Sequence, residues 1–450
     1  MGIRLRVMFN LQYLVIFLWI LSFSSLSAQK IGDPSLGSIS VQHLKVSYPI
    51  ETSVYRPRVL NLEGSIHFFW GEGTSGEVGI FRSRLNQKYQ IKKKPDVLIP
   101  FTGKLNSSAD SLSTTMSYDS STGNFLAVYM SADRTERMKN VFSMRAVLGN
   151  PLDKQGKDIL IEGEFFHSLD LPGSPSVSGD GNGNFLLVYH SNGADLNQSY
   201  IKWKKIDAET GRVTPGPIAN KQTGSQISTP GARNPSVVWN PETGTYGIVF
   251  VSGKGNASIL KFLSIDKNGV PVSEEKTILS NPKIMVARPV IAPDGDGFAL
   301  IWQDFRQVKV PSSPPMSGIP AVRFTRIDSA GKLRPMKGEE FLFDTKDSSL
   351  LLSNPYNDAS YLYQELKTIE PGKRYAAVWA TGQVPHKIQM TEIHLKHSEI
   401  RSMPPVTVSE KGKISGEPDF VFDGKRYIIV YNQHEKNKYK LKVSLGIPIR

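Results

Sequence analysis

The stretch GNFLAVY at Gly123–Tyr129 returns sixty residues later as GNFLLVY at Gly183–Tyr189. The six-residue pattern shared by these two copies recurs at Ser65–Trp70, Thr245–Phe250, Gly297–Trp302, Arg374–Trp379 and Arg426–Tyr431. From the first copy to the last, the final aromatic residue advances by 361 residues in six steps, or about 60 residues per step. A regular period of this kind indicates a propeller or another repeat array.

Each copy reads as a strand that is buried on both faces. The copies are short and rich in β-branched and aromatic residues, which favours strands over helices. Successive side chains of a strand point to opposite faces, so Phe185 and Leu187 share one face while Leu186 and Val188 share the other. Since both faces are apolar, we expect each strand to be packed on both sides.

The residues around the pattern complete a four-stranded unit. Upstream of six copies lies a run opened by a dipeptide ending in proline: Arg56-Pro57, Ser174-Pro175, Asn234-Pro235, Arg288-Pro289, Asn354-Pro355 and Glu417-Pro418. Proline has no amide hydrogen to donate, so it is predicted to be the first residue of each strand. Two further strands follow each copy, and the last is short, as at Asp96–Pro100. The sequence therefore predicts an all-β, seven-bladed β-propeller of four-stranded antiparallel blades.

The two ends of the chain are predicted to close the ring together. The seventh unit begins at Glu417 and supplies only three strands, while the unassigned stretch Val41–Tyr48 precedes the first unit. Pairing this stretch with the last strand would cover an open sheet edge. We therefore expect a flexible segment over residues 29–40 and a single propeller domain over residues 41–450.

Residues 1–28 are predicted to be a secretory signal peptide. Arg4 and Arg6 precede the apolar run Tyr13–Phe23, and small residues follow it. An uncleaved membrane anchor is the alternative, but the apolar run is short for a bilayer span. We expect a protein outside the cytoplasm (periplasmic, surface-exposed or secreted) with no transmembrane segment once the signal is removed.

The amino-acid composition limits the classes of partner that the protein is expected to bind. The chain has no cysteine, which excludes disulfides and thiolate nucleophiles. The formal net charge is +13, or +11 without the two arginines of the signal peptide, and this favours anionic partners. No nucleic-acid-binding module accompanies the charge, so we expect an acidic glycan or a protein partner, no nucleic acid, and a monomer.

The fifth unit carries Trp302-Gln303-Asp304-Phe305-Arg306 and then RIDSAG at Arg326–Gly331. It resembles the VVWxDxR-type blades of secreted bacterial β-propeller repeat proteins, most of them functionally uncharacterised. The resemblance implies a propeller fold and a secreted protein, and it supplies no catalytic residues to transfer. The full motif is present in this unit alone, so it does not indicate a site repeated around the ring.

Two short motifs mimic cofactor or metal sites. GEGTSG at Gly71–Gly76 matches the dinucleotide fingerprint, but a strand-like stretch follows it where a helix is required, so we expect a hairpin loop. Asp180–Asn184 resembles the start of a calcium loop but lacks its glycine and its final glutamate, so a plain turn is predicted. We expect no cofactor and no metal.

Two classes of function remain open. A binding or scaffold protein is favoured, and a sialidase-like glycoside hydrolase is the alternative. The stretch VYRPRV at Val54–Val59 is loosely similar to the Arg-x-Pro opening of sialidases, but the repeated Asp-box of those enzymes is absent. A tyrosine nucleophile with its glutamate partner does not stand out in the sequence.

The binding site is predicted at one end of the ring axis. The residues that precede the prolines are expected to encircle the channel mouth, with the loops after the second strands behind them. The predicted ligand-binding residues are Arg56, Arg134, His190, Arg233, Arg288, Asp304 and Arg306. Clustered arginines suit bidentate recognition of carboxylate, sulfate or phosphate. The alternative is purely structural pairing of Asp304 with Arg306 and of Glu417 with Arg56.

Overall fold

The structure is a computed structural model of the 450-residue chain. It describes residues 31–46, 53–62, 64–74, 77–86, 88–91, 94–99, 115–134, 140–151, 153, 156–165, 172–191, 199–215, 227–253, 258–279, 285–305, 320–338, 343–344, 348–353, 360–381 and 385–449. The predicted signal peptide, at residues 1–28, lies outside these ranges. Among the residues described, no helix has the length and hydropathy needed to cross a membrane.

In the described ranges, thirty strands follow one 3₁₀ turn at Pro34–Leu36. The first half of the chain contains β1 (Ser38–Leu44), β2 (Ser53–Leu62), β3 (Ser65–Thr74), β4 (Glu77–Leu85), β5 (Asp96–Ile99), β6 (Thr115–Asp119), β7 (Asn124–Arg134), β8 (Asn140–Gly149), β9 (Lys157–Phe165), β10 (Pro172–Gly179), β11 (Asn184–Ser191), β12 (Tyr200–Asp207) and β13 (Val213–Pro215). The second half contains β14 (Ala232–Asn240), β15 (Thr245–Ser252), β16 (Ile259–Asp266), β17 (Lys276–Leu279), β18 (Val286–Asp294), β19 (Gly297–Asp304), β20 (Ala321–Asp328), β21 (Phe343–Asp344), β22 (Ser349–Leu351), β23 (Ser360–Glu370), β24 (Arg374–Thr381), β25 (Ile388–Lys396), β26 (Glu399–Ser402), β27 (Val406–Thr407), β28 (Ser415–Phe422), β29 (Tyr427–Glu435) and β30 (Lys438–Ile449).

These strands form seven antiparallel blades, as the repeat predicts. Blades 1 to 4 are β2–β5, β6–β9, β10–β13 and β14–β17. Blade 5 is β18–β22, blade 6 is β23–β27, and blade 7 is β28–β30 with β1 as its fourth strand. The N-terminal strand therefore closes the ring, with Val41 opposite Gly446 and Leu44 opposite Val443. It begins at Ser38, three residues before the predicted start, and Ile31 is buried among side chains of blades 5 and 6.

The repeated strands are buried on both faces, as predicted. The described residues form seven apolar clusters, one between each pair of neighbouring blades. In β11, Phe185 and Leu187 pack against blade 2, while Leu186 and Val188 pack against blade 4. Each blade thus contributes to two clusters, and burial of these apolar surfaces holds the ring together.

The prolines do not open the first strands, which corrects the sequence prediction. Proline is the fourth residue of β10, β14, β18 and β28 and the fifth of β2. In each case it lies in a β-bulge, where the ladder is interrupted and no amide hydrogen is needed. The residue before it has a positive φ between 44° and 51°, at Arg56, Ser174, Asn234, Arg288 and Glu417. Such angles are uncommon and strained for residues other than glycine. Their recurrence at the same bulge in five blades therefore indicates a structural feature that these blades share.

Blade 6 departs from the proline pattern. Asn354-Pro355 lies outside the described residues, and β23 begins only at Ser360. Its ladder is interrupted between Ser360 and Gln364, and Glu365 then pairs with Val378. Tyr363 therefore occupies the bulge position that the sequence analysis assigned to Asn354.

The two short motifs have simple local structures. In GEGTSG, Gly71–Thr74 belongs to β3, which pairs with β4 from Glu77 onward, so a strand lies where the dinucleotide fingerprint requires a helix. The carboxylate of Asp180 accepts hydrogen bonds from the backbone N–H groups of Asn182 and Asn184, at 2.8 and 3.0 Å. This is the side-chain bonding expected of an Asp in a tight turn.

Candidate functional site

A cavity of about 490 Å³ lies on the ring axis. It is lined by the innermost strands of all seven blades, which places the bulges of these strands around it. Ligand sites of propellers and barrels commonly occupy such concave positions. The cavity is therefore the candidate ligand-binding site.

Arg56, in the bulge of β2, is held on the cavity wall by three contacts. Its Nε lies 3.4 Å from Oε1 of Glu417 in blade 7, and its backbone N–H donates to Oε2 of the same carboxylate at 2.7 Å. Its Nη2 donates to the hydroxyl of Tyr363 in blade 6 at 3.1 Å. Burial lowers the pKa of Arg56, while Tyr363 and Glu417 oppose that shift. Arg56 is thus a paired cation that joins three blades.

Arg288, in the bulge of β18, lacks such a partner. Its guanidinium carbon lies 5.5 Å from the ring centroid of Tyr363, and that of Arg56 lies 4.2 Å from the same centroid. Within the described part of the chain, no carboxylate lies within salt-bridge distance of Arg288, which is only partly buried. Two arginines therefore meet at one tyrosine ring, and only one of them is neutralised.

A second layer of charge lies two residues further along the strands. Nη1 of Arg58 lies 3.5 Å from Oε1 of Glu365, and Nζ of Lys367 lies 3.7 Å from Oδ1 of Asp419. The other oxygen of Asp419 accepts the backbone N–H of Val59 at 3.0 Å. Burial raises the pKa of Glu365 despite the neighbouring arginine, because the charged form is desolvated. The pKa of Arg58 is raised because the surrounding carboxylates outweigh its burial.

The opposite part of the wall is polar and uncharged. Oγ of Ser174 donates to Oδ1 of Asn234 at 3.1 Å, which links blades 3 and 4 at the bulge level. The backbone N–H of Asn234 donates to Nδ1 of His190 at 3.4 Å. At the next level, Oγ of Ser176 accepts the N–H of Val237 at 3.1 Å. This side offers hydroxyl and amide groups to a ligand, whereas the predicted residue His190 is buried behind Asn234 and does not line the cavity.

Of the remaining predicted residues, the structure describes the side chains of Arg233 and Asp304, and neither lines the cavity. Arg233 precedes the bulge of β14 and does not line the cavity. Asp304 is 1% exposed, accepts from Nε1 of Trp302 at 3.2 Å and lies 3.4 Å from Nε of Arg323. Arg323 is therefore one partner of Asp304, while the expected partner Arg306 lies outside the described residues, so that pairing stays a prediction. For Arg134 the structure gives only the backbone, at the end of β7.

Tyr363 and Glu365 are the site residues that the sequence reasoning missed. The bulge residue precedes the final aromatic of its repeat by 14 residues at Arg56 and Arg288, and by 16 residues at Asn234. Tyr363 precedes Trp379 by 16 residues, whereas Asn354 precedes it by 25. Counting back 14 to 16 residues from Trp379 would have pointed to the segment that begins at Tyr363. The search for a residue before a proline chose Asn354 instead, because the bulge of blade 6 contains no proline.

The arrangement is suited to binding an anion. Guanidinium groups recognise carboxylate and sulfate by paired hydrogen bonds, and an adjoining tyrosine ring supplies an apolar face. Within the described residues, no group of three or more His, Cys, Asp or Glu side chains could hold a metal ion.

Comparison with known proteins identifies the fold. No protein-family model matches the chain, and no curated protein matches its sequence. Among solved structures, an ulvan lyase of polysaccharide lyase family PL25 aligns with a TM-score of 0.52 at 10% identity, covering 89% of this chain and 95% of the other. Polysaccharide lyase Uly1 aligns with a TM-score of 0.51 at 9% identity, covering 92% and 94%. The sialidase of Trypanosoma rangeli aligns with a TM-score of 0.42 at 8% identity, covering 91% of this chain and 60% of the sialidase. These similarities establish the propeller fold alone.

Proposed function

We propose that this protein is an exported binding protein that recognises an anionic glycan at the mouth of its axial cavity. One observation carries the proposal: Arg288 projects from a strained bulge onto the cavity wall, beside Tyr363, with no carboxylate partner in the described chain. An unneutralised arginine in a concave polar site attracts anions and can bind them bidentately.

A glycan fits this wall better than a small inorganic ion does. The cavity has about 490 Å³, which is within the size range of pockets for small molecules. Beside the cation it offers the ring of Tyr363 and, across the mouth, the polar side chains of Ser174 and Asn234. Sugars carry apolar ring faces and many hydroxyl groups, so both features would be used. Two proteins of this fold are by name polysaccharide lyases, so the propeller serves proteins that act on polysaccharides.

Export is part of the same proposal. It is supported by the basic and apolar pattern of residues 1–28, by the absence of cysteine, and by the net positive charge. A protein that meets extracellular or envelope polysaccharides needs such a route. Sequencing the N-terminus of the protein recovered from its native host tests it, because we expect the mature chain to begin near Gln29.

The binding proposal is tested by a matched pair of arginine variants. Arg288→Ala removes the unpaired cation from the cavity, while Arg233→Ala removes a cation of the same type from the strand next to it, outside the cavity lining. We expect Arg288→Ala to weaken binding to an array of acidic glycans by tenfold or more, as expected when one charge-assisted contact of roughly 1.5–3 kcal/mol is lost. Arg233→Ala should bind like the wild type. Equal binding by all three proteins, at both low and high salt, would overturn the proposal.

A hydrolase is the second candidate, and one contact favours it. The hydroxyl of Tyr363 accepts a hydrogen bond from Arg56, whose guanidinium also faces Glu417. A tyrosine hydroxyl close to an arginine and a glutamate is the combination of residue types found around a tyrosine nucleophile. Incubating the wild type and Tyr363→Phe with fluorogenic sialosides and other glycosides tests this candidate. Turnover by the wild type that is lost in Tyr363→Phe would favour a hydrolase, and binding without turnover favours the binding protein.

A further inference from the structure

Among the described residues, the charges on the cavity wall add up to a single unmatched cation. Four basic side chains of this part of the chain line the cavity: Arg56, Arg58, Arg288 and Lys367. Three of them face acidic partners, at N–O distances of 3.4 Å for Arg56, 3.5 Å for Arg58 and 3.7 Å for Lys367. Arg288 is the fourth, and it has no such partner in the described chain. The wall, with the carboxylate of Glu417 behind it, therefore carries a net charge of +1.

The paired cations are not available for further anions. Glu417 accepts hydrogen bonds from the backbone of Arg56 and from Nδ2 of Asn432, so it cannot turn away from Arg56 without losing both. Asp419 is fixed in the same way by the N–H of Val59. The carboxylates of Glu365 and Asp419 lie in the layer below the mouth, where they repel a second negative group.

We infer that the site takes one anionic group per bound glycan segment, carried by an otherwise neutral oligosaccharide, and discriminates against polyanionic chains. This inference rests on the proposed function and names the class of its ligand. The single carboxylate or sulfate contacts Arg288 beside Tyr363. The neighbouring neutral sugar contacts Asn234 on blade 4, which adjoins blade 5, and Ser174 on blade 3, and neither side chain carries a charge. In a chain with several sulfates, one sulfate can contact Arg288, but a second sulfate on the same chain is repelled by Glu365 or Asp419.

Calorimetric titration with four probes tests the inference. The probes are a trisaccharide with one terminal hexuronic acid, its methyl ester, the same trisaccharide with one sulfate in place of the carboxylate, and a heparin hexasaccharide. We expect a singly charged probe to bind at least tenfold more tightly than the methyl ester. We expect the heparin probe to bind no more than threefold more tightly than the better singly charged one. The carboxylate and sulfate arms show which anion Arg288 prefers.

Each alternative result has a distinct meaning. Heparin binding that is more than tenfold tighter, with a steep loss between low and high salt, would overturn the inference and leave the proposed function standing. Absence of binding by all the charged probes would overturn both. Binding of the methyl ester as tightly as the acid would show that a neutral glycan is the ligand, and would likewise overturn both.

A charge variant provides an independent check. Glu365→Gln removes one carboxylate from the wall while keeping the size of the side chain, so the net charge rises to +2. We expect affinity for the heparin probe to increase by fivefold or more, and by a larger factor than affinity for the singly charged probe. Glu274→Gln, at a residue that is 91% exposed on blade 4, is the matched control and should change neither. A Glu365→Gln variant that leaves heparin binding unchanged would contradict the exclusion mechanism.

Discussion

Two clusters, each made of an arginine, a carboxylate and a tyrosine, join neighbouring blades, but they differ in burial and in how completely their charges are paired. Between blades 5 and 6, the carboxylate of Asp294 lies 2.6 Å from Nε of Arg326 and accepts from Tyr375 at 2.5 Å and from the N–H of Gly372 at 2.7 Å. This cluster is buried, and each of its polar groups is matched. At the mouth, Arg56, Glu417 and Tyr363 form a looser version, with an N–O distance of 3.4 Å, and Arg288 is added to it.

This difference distinguishes a cluster that stabilises the fold from the cluster at the proposed binding site. A buried ion pair with complete hydrogen bonding holds two blades in register, and nothing in it is left for a ligand. A cluster that borders a cavity and has one more cation than carboxylates among the described residues leaves that cation accessible to an anion from outside, as the proposed binding requires. Residue type alone does not distinguish the two roles, because arginine, acid and tyrosine occur in both.

The largest effect is expected from the closed cluster. Asp294→Ala leaves the arginine partner buried without a counter-charge, so we expect a loss of about 3–5 kcal/mol in the free energy of unfolding. Urea denaturation measures it. Asp296→Ala, two residues away, also removes an arginine partner, but its carboxylate is 83% exposed, and the expected loss is below about 1 kcal/mol. Similar losses for the two variants would break the comparison.

Removing a single hydroxyl from each cluster gives a smaller contrast. Tyr375→Phe takes a hydrogen bond from a buried carboxylate, and we expect a loss of about 1.5–3 kcal/mol. Tyr363→Phe takes a hydrogen bond from Arg56 beside an open cavity, where water can replace it, and should cost below about 1 kcal/mol. Thermal unfolding of both variants measures the difference. A more damaging Tyr363→Phe would assign a structural role to the mouth.

Neutralising the acid at the mouth should strengthen binding. Glu417→Gln keeps an oxygen that can accept from Arg56 and Asn432 but frees the positive charge of Arg56. We expect affinity for a singly charged acidic oligosaccharide to rise by about fivefold, which corresponds to about 1 kcal/mol. Calorimetry at low salt measures it. Weaker binding by a variant that unfolds like the wild type would mean that Glu417 itself contacts the ligand.

The smallest effect concerns pH and a third cluster of the closed type, between blades 6 and 7. Burial raises the pKa of Glu392, but hydrogen bonds from His394 at 3.0 Å and from Tyr427 at 2.6 Å outweigh it, so the pKa lies below the ordinary value of 4.5. Arg374 adds a weaker attraction in the same direction. A lowered pKa contributes stability above the unfolded-state value, and that stability is lost as the pH falls through the folded-state value.

Melting temperatures between pH 6 and pH 3 test this cluster. The wild type should lose stability below about pH 4.5, and Glu392→Gln, which has no proton to gain, should lose less over the same range. Binding at the mouth should be unaffected by the substitution at pH 6. Parallel pH profiles for the two proteins would show that the buried carboxylate does not contribute to acid sensitivity.

The sequence by itself determined the ring. The repeat at Gly123–Tyr129 and Gly183–Tyr189 specifies strands, because alternation and β-branched side chains act locally. Seven copies therefore predict seven blades, and the missing strand of the last blade predicts closure by the N-terminal stretch. The position of the bulge was indicated by proline in five blades but misread as a strand start, because the absence of an amide hydrogen fits both.

Only the tertiary structure decided which charges are matched. Glu417 pairs with Arg56, 361 residues away, and Asp304 of β19 pairs with Arg323 of the neighbouring strand β20. Such pairs form across blades, or between strands that the turns bring side by side, so their spacing in the sequence carries no signal. Arg56 and Arg288 look alike in the sequence, since each precedes a proline. They differ because ring closure places a carboxylate against Arg56, whereas Arg288 faces the cavity with no carboxylate of the described residues within salt-bridge distance.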